Sequence, residues 1–212
     1  MRMVWNLLAS AAVAYLAVLV LVYAFQSRLV YFPEVGREAS VTPQTYGLSF
    51  EPVTISTGDG ERLAGWWVPA PGALGTVLIF HGNAGNISHR LDYLAMFHKL
   101  GHNSLIIDYR GYGASTGAPS EQGTYRDAQA AWGWLLRERK LAAGDIVVFG
   151  ESLGGAVAAW LAARVAPRGL VLASTFTSVP DLGAQIYPFL PVRLMSRIRY
   201  DTMSAVRALN SL

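Results

Sequence analysis

Gly150-Glu151-Ser152-Leu153-Gly154 sets a serine between two glycines in the spacing G-x-S-x-G. The apolar run Asp145–Phe149 precedes it and the small-residue stretch Gly154–Val165 follows, so the motif falls between a buried strand and a helix. A strand-to-helix turn this sharp makes neighbouring side chains collide, which accounts for small residues two places either side of Ser152. It lifts the hydroxyl above the carboxyl edge of a sheet, at a helix N-terminus. The helix dipole and the free N–H groups there favour developing negative charge. The chemistry this pattern suits is nucleophilic attack by Ser152 on a carbonyl carbon.

The negative oxygen formed in such an attack needs a second backbone N–H, supplied by the loop after another buried strand. His81-Gly82-Asn83-Ala84-Gly85 follows the apolar run Thr76–Phe80 and fits that place. Asn83 is the natural donor, with the Leu153 N–H as the other. Read alone, each motif is also an ordinary strand-to-helix turn; their joint occurrence argues for a site. The chain has no cysteine, which excludes disulfides, a thiol nucleophile and thiolate metal sites. No metal site and no cofactor is expected.

The elements that must position these residues follow from patterning. Pro52–Thr57 and Arg62–Val68 alternate around Gly58-Asp59-Gly60 and read as a hairpin. Thr76–Phe80, Ser104–Ile107, Asp145–Phe149 and Gly169–Ala173 are short continuous apolar runs, as in strands covered on both faces. Ser88–Leu100, Glu121–Lys140 and Gly154–Val165 have helical spacing or small-residue helical composition. Strands alternating with helices define an α/β fold with a mostly parallel sheet.

Val4–Phe25 carries only Asn6 and Ser10 as polar breaks, and no charge lies between Arg2 and Arg28. As a helix it would be about 33 Å long, enough to cross a bilayer core. The alternative is a cleaved signal peptide with Val22-Tyr23-Ala24 as its site, although such apolar cores run to only about 7–15 residues. The expected organisation is an anchor at 1–27, a tether at 28–50 and a domain at 51–212. Hydrophobic residues make up 52% and charged residues 15%, with a mean hydropathy of +0.31. That balance fits one membrane segment on a globular body and excludes a disordered chain or a coiled coil. The net charge of +3 is carried by the stretch after Val192. No basic stripe marks the body, so no nucleic-acid partner is expected. Neither the side of the membrane nor the oligomeric state is coded.

The chain resembles the α/β-hydrolase superfamily from roughly Gln26 to Asp201. More narrowly it is similar to the membrane-anchored serine hydrolases of the "alpha/beta hydrolase domain-containing" group, whose eukaryotic members include protein depalmitoylases. The residues that carry the likeness are Gln26-Ser-Arg-Leu-Val-Tyr31-Phe32-Pro33, Thr57-Gly-Asp-Gly60, Leu63-Ala-Gly65-Trp66-Trp67-Val-Pro69, His81-Gly-Asn-Ala-Gly85, Asp108-Tyr-Arg-Gly-Tyr-Gly113-Ala-Ser115 and Gly150-Glu-Ser-Leu-Gly-Gly155. The resemblance implies an N-terminal anchor, a small-molecule ester, thioester or acylated substrate, Ser152 as nucleophile, Gly150 and Gly154 shaping the elbow, and Leu153 with Asn83 as oxyanion donors.

In that superfamily the triad acid and histidine follow the serine. His81, His89, His98 and His102 all precede Ser152. His81 is expected to order the oxyanion loop and His89 to sit on a solvated helix start. Asp108 is expected to pair with Arg110 or cap its own loop. The resemblance thus implies two more strand–helix units beyond Leu212 and a chain incomplete at its C-terminus, with Ser152 lacking its base and the Gly169–Ala173 strand left at an edge. Thr175–Leu212, broken at Pro188 and Pro191, is expected to form short helices capping the site. Two other readings share these residues: a non-catalytic membrane-tethered remnant or interaction module, and a serine peptidase on the same fold.

Overall fold

In a computed structural model of the chain, described for residues 1–38 and 41–209, the body is one sheet covered on both faces. The hairpin forms as patterned, β1 (Glu51–Ser56) pairing antiparallel with β2 (Arg62–Val68). The buried strands are β3 (Thr76–Phe80), β4 (Asn103–Ile107), β5 (Ile146–Glu151) and β6 (Gly169–Ala173). The order is β1-β2-β4-β3-β5-β6. β2 meets β4 antiparallel, and β4, β3, β5 and β6 run parallel.

The period-2 alternation of the inner strands divides the core. Leu78, Phe80, Leu105, Ile107 and Val148 face the helices α4 (Glu121–Arg137) and α5 (Leu153–Val165). Val77, Ile79, Ile106 and Phe149 face α3 (Leu91–Lys99). Helix boundaries depart from the patterned ones for local reasons. The helix expected from Ser88 begins as a 3-10 turn, Ile87–Arg90, capped by the Asn86 side chain, and α3 proper starts at Leu91. The helix expected to reach Lys140 ends at Arg137, and Lys140 takes φ +56, a left-handed conformation that cannot continue a helix.

At the N-terminus, α1 (Arg2–Ala24) is long and apolar enough to cross a membrane and has no buried residue. The short α2 (Gln26–Val30) follows it. The stretch expected as a tether is fastened to the body: Tyr31 is buried in the core and Phe32 pairs with Ala84. Tyr31, Tyr200 and Thr124 share a buried hydroxyl chain, with Oη–Oη 3.0 Å and Tyr200 Oη to Thr124 Oγ1 2.7 Å. The hairpin turn is tied to α4 by Arg110, which donates to Asp59 and Asp127. Hydrogen bonds from Arg110 foremost, then Thr57, hold the Asp59 carboxyl well below the usual carboxylate range. Burial pushes Asp127 the other way.

After β6 come α6 (Val179–Ile186), α7 (Val192–Met195) and α8 (Thr202–Leu209). The first two bracket Pro188 and Pro191 and cover the carboxyl edge of the sheet, as the prolines suggested. α8 instead packs against α5 on the face of the sheet. Among the described residues β6 ends the sheet, with Val171 46% exposed.

Candidate active site

The turn at Gly150–Gly154 is built as its composition requires. Ser152 sits at φ +53, ψ −115, a conformation that costs a non-glycine residue about 1–3 kcal/mol. Three hydrogen bonds around it impose that geometry. Ser152 N–H donates to Ala173 O at 2.9 Å, and its own carbonyl accepts from Thr175 Oγ1 at 2.8 Å and Gly155 N–H at 3.0 Å. A methyl group at Gly150 would run into the Gly154 backbone, and one at Gly154 into the Phe80 carbonyl. The glycines are therefore required by the close approach of backbone to backbone.

The loop after β3 lies beside this turn: a methyl group added at Gly82 would come into ordinary contact with Ser152 Cβ and Glu151 O. Asn83 and Leu153 both line the cavity that Ser152 lines. Among the described residues, neither the Asn83 N–H nor the Leu153 N–H has an acceptor. The elbow and the loop, expected from separate motifs, are thus brought together.

The elements that hold the loop were not visible in its own sequence. Asn83 Nδ2 donates to Val30 O at 3.1 Å, and Asn83 O accepts from Phe32 N–H at 3.1 Å and Tyr112 Oη at 2.9 Å. Arg90 Nη2 donates to Ala84 O, and Arg90 Nε stands 3.0 Å from Glu151 Oε2, beside the elbow. Val30, Phe32 and Tyr112 are far from Asn83 in sequence, and only Arg90 is a near neighbour of the loop. The conspicuous segment Gln26–Pro33 was the one available signal, and it did not reveal which backbone it would bind.

The histidines lie as follows. His81 is 1% exposed; its Nδ1 lies 2.7 Å from Gly82 O, and Tyr109 Oη donates to its carbonyl at 3.0 Å. It orders the loop. His81 Nε2 stands 3.4 Å from Asp108 Oδ1, too poorly aligned for a hydrogen bond. Asp108 does not pair with Arg110: it accepts from Ile87 N–H at 3.0 Å, while Arg110 is committed to Asp59 and Asp127. His89 is exposed, its Nδ1 accepting from Asn86 N–H at 3.1 Å. His98 ends α3 and His102 precedes β4, at the opposite edge of the sheet from Ser152. Among the described residues Ser152 Oγ makes no hydrogen bond, no histidine lines its cavity, and no His/Asp/Glu cluster could hold a metal ion.

The cavity measures about 330 Å³, within the range of small-molecule sites. Its walls are mostly apolar. Phe176, Leu182, Ile186 and Leu190 come from the segment after β6, while Val22, Gln26, Leu29 and Val30 come from the end of α1 and from α2. Gln26 locks the two sides together. Its Nε2 donates to Met195 O at 2.9 Å and its Oε1 accepts from Arg197 N–H at 2.8 Å.

This arrangement has known counterparts. The sequence profile of the alpha/beta hydrolase fold matches residues 75–207. An uncharacterized protein of Mycobacterium tuberculosis is 40% identical over 199 residues, covering 92% of this chain and 69% of that protein. The alpha/beta hydrolase domain-containing protein WAV2 of Arabidopsis thaliana is 42% identical over 178 residues, covering 80% and 58%. Among solved structures, a Pyrococcus furiosus esterase superposes with a TM-score of 0.64 at 25% identity, covering 86% of this chain and 67% of that one. The chain belongs to the α/β-hydrolase fold family. It spans about three-fifths to two-thirds of the length of these relatives.

Proposed function

We propose that the protein is a membrane-anchored serine hydrolase of ester or thioester bonds, with α1 as its single N-terminal span. Ser152 is the nucleophile, and the Leu153 and Asn83 N–H groups receive the oxyanion. The observation that carries this reading is the forced conformation of Ser152 on the wall of a mostly apolar cavity that Asn83 and Leu153 also line, whose backbone N–H groups have no acceptor among the described residues. In the reaction Ser152 Oγ bonds to the carbonyl carbon. The C–O or C–S bond breaks, and the hydroxyl proton ends on the departing alcohol or thiol. Water then cleaves the acyl-serine, releasing the acid and restoring the hydroxyl. The apolar cavity favours an acyl group of aliphatic character over a peptide substrate.

No imidazole stands beside Ser152 among the described residues, so its hydroxyl is a weak nucleophile at neutral pH in the 212-residue chain. Oxyanion stabilisation and binding alone leave a rate of about 10³–10⁴ over water in well-formed sites. A fluorophosphonate probe should therefore label the chain slowly, and Ser152→Ala should remove the labelling. Labelling that persists in the variant would overturn the assignment. No labelling of either form would favour the reading of a tethered binding module.

A further inference from the structure

The segment that roofs the cavity has a charge pattern the hydrolase reading does not use. Asp181 and Arg193 form an ion pair at 3.0 Å, which closes α6 and α7 into a hairpin at its neck. Between them, Leu182–Val192 carries no charge, and Gln185 and the Tyr187 hydroxyl are its only polar side-chain groups. At the tip Phe189 is 66% and Ile186 56% exposed. A face of this kind in water is a liability.

We propose that this hairpin tip, residues 182–192, is embedded in the hydrocarbon of the bilayer beside α1, so that the Ser152 cavity opens sideways into lipid. The proposal rests on the reading of α1 as a membrane span. Three observations lead to it. The first is a direct link between tip and helix: Tyr15 Oη donates to Phe189 O at 2.8 Å. Tyr15 lies about 13 Å along α1 from Ala24, deep in a hydrocarbon core of about 30 Å. A hydroxyl at that depth has no water to bond, and the tip supplies its acceptor. Whatever surrounds α1 at Tyr15 therefore surrounds Phe189 too.

The second is the backbone of the tip. Irregular chain is tolerated in lipid only when its polar groups are satisfied internally. Pro188 and Pro191 have no N–H to satisfy. Tyr187, Leu190 and Val192 N–H donate to Gly183, Tyr187 and Leu190 carbonyls, at 2.8, 3.0 and 2.8 Å. Phe189 N–H is the tip's one backbone donor without a partner among the described residues, beside the carbonyl that Tyr15 engages; the Gln185 amide and the Tyr187 hydroxyl have none there either.

The third is the sorting of charge along the same axis. Arg197 donates to Tyr23 O at 3.0 Å and stacks over the Tyr23 ring at 4.6 Å, at the end of α1 where a headgroup layer would lie. The Asp181–Arg193 pair marks the neck, and everything beyond it is uncharged. Because Val22 of α1 and Leu182, Ile186 and Leu190 of the tip wall the same cavity, an acyl chain already in the bilayer would reach Ser152 by lateral movement.

The chain has no native cysteine, so single reporters can be placed without background. Phe189→Cys and Ile186→Cys would be labelled with an environment-sensitive fluorophore. So would Val13→Cys on α1 and Leu74→Cys at the far end of the body. The full chain would be reconstituted in phosphatidylcholine–phosphatidylglycerol vesicles and quenched by acyl-chain nitroxide lipids or by aqueous iodide. The tip reporters should lose fluorescence to nitroxide lipid to the same extent as Val13 and resist iodide, with Leu74 behaving in the opposite way. Iodide quenching at the tip with Val13 still lipid-quenched would overturn the insertion and leave the anchor standing. Protection of the tip from both quenchers would also overturn it, showing the tip covered by protein rather than lipid. Val13 escaping nitroxide would remove the anchor reading, and the insertion with it.

Discussion

Ser152 keeps a backbone conformation unfavourable for any residue with a side chain, because Ala173, Thr175 and Gly155 bind its peptide groups in place. Comparing two substitutions isolates that strain. Ser152→Gly relieves it and Ser152→Ala does not, so the glycine variant should be the more stable by about 1–2 kcal/mol in urea melts. Equal stabilities would mean the elbow is relaxed. Gly154→Ala acts in the opposite sense. Its methyl would strike the carbonyl of Phe80 on a buried strand, which cannot withdraw without disturbing β3. A loss of about 3 kcal/mol is expected, and a native-like melt for this variant would contradict the packing.

The segments before and after the sheet are joined to it by hydroxyl chemistry. Tyr200 receives or donates bonds with Tyr31 before β1 and with Thr124 on α4, while Glu121 accepts from Arg199 N–H and Tyr200 N–H. Tyr200→Phe leaves two buried hydroxyls short of a partner. It should cost about 1–3 kcal/mol, seen as a lower denaturation midpoint with an unchanged slope. The same junction brings Val30 and Phe32 onto Asn83, so the shape of the loop after β3 depends on chain that lies outside the sheet.

Buried phenols govern how the molecule responds to base. Burial raises the ionisation of Tyr31, Tyr109, Tyr112, Tyr125 and Tyr200 well above the ordinary value of 10.0. Their neutral forms are favoured in the fold, so this contribution is whole below about pH 10 and is lost as pH rises beyond the unfolded value toward the raised folded ones. The melting temperature should fall above about pH 10, with most tyrosinate absorbance appearing only on unfolding. Appearance of the full tyrosinate signal in folded protein would disprove it. The sheet carries a second liability in β6, whose outer edge is unpaired among the described residues and whose Val171 is half-exposed. Freed of α1, the body should bind a hydrophobic dye and aggregate, and Val171→Lys should slow the aggregation, since an edge lysine opposes strand addition. Equal aggregation rates would place the contact elsewhere.

The parallel strands, the hairpin, the sharp turn at Ser152 and the loop after β3 were legible from local pattern. Apolar runs, the glycine spacing around Ser152 and the charge-free Val4–Phe25 report properties set within a few residues: steric collision in a tight turn, burial of a strand, a helix long and apolar enough to cross a membrane. The ends of α3 and α4 were less legible, because Asn86 capping and the left-handed Lys140 depend on fine local competition. The cavity wall was not legible at all. Gln26 meets Met195, Val30 meets Asn83 and Tyr15 meets Phe189, each across a long stretch of chain. No periodicity records such pairings, since they arise when separately stable elements close over one sheet edge. Asp108 shows the same limit on a smaller distance. Its nearest cation in sequence is Arg110, yet the fold turns Arg110 to Asp59 and Asp127 and leaves Asp108 to the Ile87 N–H, because side chains pair by the direction their strand and loop impose.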